Sequence, residues 1–267
     1  MAVSEHSDEL DGQPLVWRAA PAAGAPPLYV HDVPTSGAAW APFLARTGGL
    51  APDLPGFGRS GKGAHRDYSI DGIAAFVARF LDHVGVDRVQ LVVHGWGAAA
   101  LPFAIRHPER VQRLVVVNAL PLLPGYRWHR LARAWRTPVV GELAMGATSR
   151  WALRRLLRPA FAGPVPEALV DDIWRHFDQG TQRATLRLHR AAPEARLAAA
   201  GAGLARVTAP ALIAWGARDP FFPARFGDAY AAALGDGRVE RLPDAGHWPW
   251  HDRPDLVDRI ADFLSDR

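Results

Sequence analysis

Residues 89–97 read Val-Gln-Leu-Val-Val-His-Gly-Trp-Gly, an apolar run that ends in a turn rich in glycine. The run Val89–Val93 is typical of a short strand buried inside a parallel sheet. The stretch 97–107 is rich in small residues, has helical composition and stops at Pro108, a residue that disfavours a helical conformation before it. The segment therefore predicts a buried strand, a tight turn around Gly95 and a helix.

Further strands and helices are predicted on both sides of this segment. Six more apolar segments predict strands, at residues 15–18, 28–31, 49–53, 114–117, 211–215 and 238–242. Apolar residues recur at helical spacing in 71–84 and 254–264, which predicts amphipathic helices there. Strands that alternate with helices predict an α/β fold with a mostly parallel, doubly wound sheet. The polar residues 1–13 are predicted to fray.

The alternation of strands and helices stops after Asn118. From about residue 121 to residue 206 the pattern is helical and rich in arginine, alanine and leucine. We therefore predict a core made of residues 1–120 and 207–267, with a helical cap inserted at residues 121–206.

Composition narrows the classes of function. Of the 267 residues, 49% are hydrophobic and 22% charged, as in an ordinary globular domain, and there is no cysteine for a disulfide or a thiolate metal site. No apolar run is long enough to span a bilayer, and the acidic N-terminus does not resemble a signal peptide. We expect a cytoplasmic protein without a membrane partner, and the choice between monomer and homodimer stays open.

The net charge of +4 comes almost entirely from arginine, since Lys62 is the only lysine. These arginines are dispersed, apart from a concentration between residues 127 and 158, where solvated helix faces are favoured over a polyanion-binding surface. The glycine-rich loop 56–61 lacks the spacing of a phosphate-binding or dinucleotide-binding loop. We therefore expect a small-molecule substrate or ligand. We expect no nucleic-acid partner, no cofactor and no metal.

Four loops follow predicted strands in a recognisable order. They are His-Asp-Val-Pro at 31–34, His-Gly-Trp-Gly at 94–97, Trp-Gly-Ala-Arg-Asp-Pro at 215–220 and Ala-Gly-His-Trp at 245–248. In this order they resemble the oxyanion-hole loop, the nucleophile elbow, the acid loop and the histidine loop of α/β-hydrolases. The His-x-x-Pro and His-x-Trp-Gly patterns are similar to those of the epoxide hydrolase and haloalkane dehalogenase branch.

The resemblance implies a role for each matching residue. His247 corresponds to the catalytic histidine, and Asp219 to the acid that orients it. The backbone N–H groups of Val33 and Trp96 correspond to the oxyanion hole. That branch places an aspartate nucleophile at the position of Gly95, where its carboxylate forms an ester with the substrate.

Two positions depart from the family pattern: Gly95 stands where the nucleophile belongs, and Asp32 stands where the pattern has glycine. Glycine tolerates the positive φ that an elbow imposes, but it has no atom with which to form an ester. Asp32 follows a strand expected to neighbour the one before Gly95. Two hypotheses stay open for its carboxylate: it points inward as a relocated acid, base or nucleophile, or it points to solvent from a turn.

The resemblance also predicts substrate contacts from Trp96, Tyr126, Phe221 and Trp248 beneath the cap. Val33 stands where dehalogenases carry a halide-binding asparagine, and Tyr126 is the one cap tyrosine where epoxide hydrolases use two. Dehalogenase activity is therefore disfavoured, whereas an epoxide hydrolase would lack the usual tyrosine pair but could still take one donor from Tyr126.

We predict a hydrolase-like protein that acts on a small apolar substrate without a covalent nucleophile. His247 with Asp219, together with Asp32 if it points inward, would transfer protons. The alternative is a catalytically disabled hydrolase scaffold that binds a ligand.

Overall fold

The computed structural model describes residues 1–235 and 237–265. In that part of the chain, eight strands form one sheet in the order β1-β2-β4-β3-β5-β6-β7-β8. Strand β2 is antiparallel to both of its neighbours, whereas all the other neighbouring strands are parallel. The strands are β1 Ser4–Leu10, β2 Gln13–Ala20, β3 Pro27–Val30, β4 Gly49–Pro52, β5 Val89–Gly95, β6 Val111–Ala119, β7 Ala211–Gly216 and β8 Gly237–Leu242.

Helices cover both faces of this sheet. They are α1 Ala41–Thr47, α2 Ile70–His83, α3 Leu101–Arg106, α4 Arg130–Arg136, α5 Val140–Gly146, α6 Arg150–Leu157, α7 Glu167–His176, α8 Gln179–Ala191, α9 Glu194–Ala200, α10 Arg225–Leu234, α11 Pro249–Asp252 and α12 Leu256–Ser265. Short 3₁₀ helices span Gly37–Trp40, Trp96–Ala100, Pro108–Arg110, Arg158–Ala160 and Leu204–Arg206. No helix among the described residues is both long and apolar enough to cross a membrane.

Strand β5 lies between the two hydrophobic cores of the protein, one on each face of the sheet. Its side chains alternate between the faces of the sheet, as the period of a strand requires. Leu91 and Val93 belong to the core that contains α2 and α10, whereas Val92 belongs to the core that contains α1 and α12. This layering confirms the predicted doubly wound α/β sheet.

The prediction that residues 1–13 fray is wrong. Strand β1 pairs with β2 along its whole length, from Ser4 opposite Ala19 to Leu10 opposite Gln13. The turn between them is Asp11-Gly12, and both residues have positive φ, 55° and 68°. This pair is a strong signal for a two-residue hairpin, but β1 is exposed except at Leu10 and so shows no apolar period.

Six helices, α4–α9, lie between β6 and β7, within the predicted insertion at residues 121–206. We call α4–α9 the inserted helices. Between them they place side chains over the carboxyl ends of β3, β5 and β7, where ligands of open α/β sheets bind.

Candidate active site

The turn after β5 has the sharp geometry that the sequence predicts. Gly95 has φ 54° and ψ −125°, and the 3₁₀ helix Trp96–Ala100 begins immediately after it. A positive φ of this kind is strained for residues with a side chain. A Cβ at residue 95 would also overlap Cγ and Oδ1 of Asp32. The glycine is therefore required both by the backbone conformation and by the carboxylate in front of it.

Asp32 points into the protein, so the solvent-facing hypothesis is wrong. Val30 of β3 pairs with Val93 of β5, which brings the loops after the two strands side by side. Asp32 is 6% exposed, and its Oδ1 accepts a 2.7 Å hydrogen bond from the backbone N–H of Trp96. Its Oδ2 lies 3.0 Å from Nε2 of His247. The carboxylate thus occupies the space that a side chain on residue 95 would enter.

His247 and Asp219 form the second half of the site. Nδ1 of His247 lies 2.7 Å from Oδ2 of Asp219, and both side chains are buried. Asn118 donates from Nδ2 to the same carboxylate oxygen at 2.7 Å. The other oxygen accepts the backbone N–H groups of Phe221 and Phe222 at 2.7 and 3.0 Å. Four hydrogen bonds therefore fix the carboxylate that faces the imidazole.

The imidazole of His247 lies between two carboxylates, and this determines its charge. Burial alone would lower the pKa of His247, but attraction and hydrogen bonding from Asp219 and Asp32 outweigh it and raise the pKa to about 9. Burial likewise opposes ionisation of Asp32, but His247 and the Trp96 N–H hold the pKa of that carboxyl below its ordinary value. In the resting site His247 is therefore held as an imidazolium that contacts the carboxylates of Asp32 and Asp219.

Two further histidines shape the loops around the site. His31 receives the Leu54 backbone N–H at Nε2, 2.8 Å away, and its Nδ1 contacts the Asp32 carbonyl at 2.6 Å. His94 donates from Nε2 to the carbonyl of His247 at 2.8 Å. Burial lowers the pKa of His94 to about 3, so it stays neutral. These contacts orient Asp32 and His247 through their backbones.

A cavity of about 70 Å³ opens beside Asp32 and His247, several times the space that one water molecule needs. Three of the residues predicted to contact substrate, Trp96, Phe221 and Trp248, line it, and Val33 lies in its wall. Tyr126 is not among the residues that line it. Its ring packs edge-on against rings that do line the cavity, Trp128 and Phe222. The inserted helices complete the wall with Leu131, Trp135, Met145, Leu153, Leu156, Leu157, Thr185 and His189.

Sequence reasoning missed His189, which no loop motif marks. It lies on α8, is 2% exposed and lines the cavity. Its Nδ1 lies 2.8 Å from the carbonyl of Thr185, and its Nε2 lies 3.3 Å from the indole Nε1 of Trp96. The one signal in the sequence is spacing: Thr181, Thr185 and His189 recur every four residues and form a buried polar row on α8.

The site also contains a group of side chains with metal-ligating atoms. Asp32, His94 and His247 each offer one ligand atom, and these atoms lie within 4.8 Å of one another. However, Oδ2 of Asp32 and Nε2 of His247 form a hydrogen bond with each other. The raised pKa of His247 also opposes the neutral imidazole that a metal ion requires as a ligand. An ion would have to break the contact that defines the site, so these residues do not fit a resident metal.

Comparisons with known proteins agree with this fold. The family model described as the alpha/beta hydrolase fold matches residues 28–254. A haloalkane dehalogenase of Mycolicibacterium paratuberculosis is 31% identical over 268 aligned residues, which cover 91% of this chain and 84% of that protein. A cis-3-alkyl-4-alkyloxetan-2-one decarboxylase of Xanthomonas campestris is 27% identical, with 92% and 90% covered.

Among solved structures, the haloalkane dehalogenase DbeA from Bradyrhizobium elkani superposes with a TM-score of 0.84 at 25% identity, covering 99% of this chain and 98% of its own. The chain therefore belongs to the α/β-hydrolase fold family. Its relatives within that family include haloalkane dehalogenases.

Proposed function

We propose that this protein is a hydrolase that cleaves a carbon–leaving-group bond in a small apolar substrate, with Asp32 as its nucleophile. One observation carries the proposal: the Asp32 carboxylate fills the space in front of Gly95 and contacts both the Trp96 N–H and His247. The family pattern places its nucleophile at residue 95. A covalent mechanism through Asp32 thus replaces the sequence-based expectation of proton transfer without a nucleophile.

In the first step, Oδ2 of Asp32 attacks a saturated carbon, and the bond to the leaving group breaks with its electron pair. The product of this step is an ester of Asp32. The other oxygen, Oδ1, keeps the hydrogen bond from the Trp96 N–H and becomes the carbonyl oxygen of the ester. The predicted oxyanion-hole donor at Trp96 is in this way already paired with the oxygen that later carries negative charge.

The second step follows from the change of charge in the first. Esterification removes the negative charge of Asp32, and with it one of the two attractions that raise the pKa of His247. Once it has lost its proton, the imidazole can accept one from a water molecule that attacks the carbonyl carbon of Asp32. Asp219 stabilises the imidazolium as it forms again, and collapse of the tetrahedral intermediate releases an alcohol and restores the carboxylate.

The surroundings of Asp32 favour a small apolar substrate. Leucine, methionine and aromatic side chains make up most of the cavity wall, and the inserted helices supply many of them. In this proposal the inserted helices are the cap of the hydrolase: they keep water away from the carboxylate until a substrate has bound.

An isotope experiment tests the nucleophile directly. The enzyme is incubated in H₂¹⁸O with a panel of bromoalkanes, epoxides, lactones and esters, and peptides are then analysed by mass spectrometry. We expect heavy oxygen in the peptide that contains Asp32, because water attacks the carbonyl carbon of its ester. His247→Gln should accumulate the substrate adduct on the same peptide, since the second step then lacks its base.

Asp32→Asn is the matched control, because it keeps the shape of the side chain and removes the nucleophile. It should give neither label nor adduct, and turnover should fall on the order of 10⁴-fold or more. Turnover that survives in Asp32→Asn, or turnover with no heavy oxygen in that peptide, contradicts the proposal. If no compound in the panel reacts and ligands still bind, the alternative of a ligand-binding scaffold gains support.

A further inference from the structure

The mechanism leaves unused one polar pair in the cavity, the Trp96 indole and the His189 imidazole. Both side chains are buried and line the cavity with Asp32. The two rings pack edge-on with centroids 4.8 Å apart, and Trp128 and Trp135 enclose the same imidazole at 5.3 and 5.0 Å. His189 is therefore held in place by three indoles.

The hydrogen bonds of His189 fix its tautomer from both sides. A carbonyl oxygen can only accept, so Nδ1 must carry the hydrogen that is donated to Thr185. An indole N–H can only donate, so Nε2 must accept from Trp96. Burial lowers the pKa of His189 to about 3, which keeps the ring neutral despite the pull of Asp32. The pair therefore presents one donor and one acceptor side by side.

We propose that Trp96 and His189 form a hydroxyl-binding pair that makes the enzyme selective for oxygen leaving groups over halides. This inference rests on the proposed role of Asp32. A hydroxyl group can accept from the indole N–H and donate to the imidazole Nε2 at the same time. A halide ion can only accept, so it would face the lone pair of Nε2. The Trp96–His189 bond is long at 3.3 Å, so a hydroxyl that inserts between the two groups gives up little.

The protons of the site also balance for an oxygen leaving group. When Asp32 opens a strained cyclic ether, the carbon–oxygen bond breaks, its electron pair stays on the oxygen, and this oxygen takes up a proton as the bond breaks. That proton comes from His247 through a water molecule, because esterification removes the charge that holds it on the imidazole. The oxygen is then the hydroxyl that Trp96 and His189 bind, and His247 is left as the neutral base for the second step. A halide takes up no proton, so His247 would first have to lose its proton to solvent.

His189→Phe tests the pair, because it keeps an aromatic ring among the three indoles and removes the acceptor. Two readouts are measured at pH 8: the ratio of kcat/KM for 1,2-epoxybutane to that for 1-bromobutane, and broadening of the ³⁵Cl NMR line by bound chloride. We expect the wild-type protein to prefer the epoxide and to bind no chloride in the cavity. In His189→Phe the Trp96 N–H is free, so the ratio should fall about tenfold and chloride should bind.

Three further variants make the result specific. Trp151→Phe, which changes an exposed tryptophan of the inserted helices that does not line the cavity, should leave the ratio within about twofold, since the hydrogen-bonded pair is intact. Adding Trp96→Phe to His189→Phe should abolish chloride binding, which separates the cavity from the arginines of the surface. If His189→Phe does not fold, His189→Gln provides an amide N–H and should shift both readouts in the same direction.

Chloride binding to the wild-type protein as strong as to the variant, or an unchanged ratio in folded His189→Phe, overturns the inference. The chloride readout needs no turnover. It therefore still decides the inference about the Trp96–His189 pair if the isotope experiment shows that Asp32 is not the nucleophile.

Discussion

The loop after β3 and the turn after β5 lie side by side at the carboxyl ends of these two neighbouring strands. Their conformations are determined in different ways. The turn at Gly95 is determined by its backbone, which takes a positive φ at the end of β5. The loop at Asp32 is determined by contacts of its neighbours, since His31 ties it to Leu54 and Thr35 donates its hydroxyl to the Asp32 carbonyl. The turn at Gly95 leaves a space, and the loop after β3 supplies the Asp32 carboxylate that fills it.

Relative to the family pattern, the glycine and the aspartate have exchanged places between these two elements. The exchange is sterically coupled, because a Cβ at residue 95 would overlap the Asp32 carboxylate. The position of a carboxylate in such a site is defined by the point its side chain reaches and the partners it contacts there. Trp96 N–H and His247 meet a carboxylate at this point although residue 95 has no side chain.

The largest expected effect comes from moving the aspartate back. Gly95→Asp alone should be inactive and destabilised, because its side chain and that of Asp32 compete for one space. Asp32→Gly alone should lose on the order of 10⁴-fold in turnover or more, because no nucleophile remains. The double variant Asp32→Gly/Gly95→Asp restores the family arrangement and should recover activity. Turnover on the same substrate panel and thermal unfolding of all four proteins check this.

The turnovers of the four proteins must be compared together. Two inactive single variants and an active double variant would show that the two positions share one function. A folded Asp32→Gly protein with wild-type turnover would show that the loop after β3 plays no catalytic part.

Much of this arrangement could be predicted from the sequence because it depends on local patterns. The apolar run before Gly95 predicts the central strand. The resemblance of the four loops to those of α/β-hydrolases implies that His247 meets Asp219, which lies 28 residues away in the chain. The positive φ of Gly95 follows from the glycine and the turn around it. Each of these predictions needs only neighbouring residues or the order of strands.

The rest depends on contacts between distant segments. The direction of the Asp32 side chain is decided by Trp96 and His247, which lie 64 and 215 residues away in the chain. His189 reaches the cavity because its ring packs against Trp96 in the turn after β5, and no motif encodes that packing. The family resemblance predicts Tyr126 in the cavity, but the side chain is buried behind aromatic rings that only the fold brings together.

A smaller effect is expected from Asn118, which lies near the carboxyl end of β6 and positions the acid. Its amide donates to Asp219 and accepts the backbone N–H of Gly216, and its φ is 36°. Asn118→Gly keeps this backbone conformation accessible and removes the amide. Loss of one hydrogen bond to a charged group costs about 1.5–3 kcal/mol, so kcat/KM should fall roughly 10- to 100-fold.

Asn118→Ala should lose more stability, because alanine is strained at positive φ. Equal kcat/KM for Asn118→Gly and the wild-type protein would show that the acid needs no positioning from β6.

The last prediction concerns the charge that the loop after β3 contributes to His247. The folded-state pKa of about 9 lies above the ordinary value of 6.5. The resulting stabilisation is therefore complete below pH 6.5 and is lost as the pH rises through 9. Asp32→Asn removes one of the two carboxylates, so the pKa of His247 should fall and the loss of stability should occur at lower pH. NMR titration of the imidazole and the free energy of unfolding between pH 6 and 10 measure the two effects.

Asp244→Asn is the matched control, because it removes an exposed carboxylate that is paired with Arg218 and should leave both curves unchanged. If Asp32 faced solvent, its variant would behave like this control; a shift in Asp32→Asn alone would assign the second negative charge on the imidazole to the loop after β3.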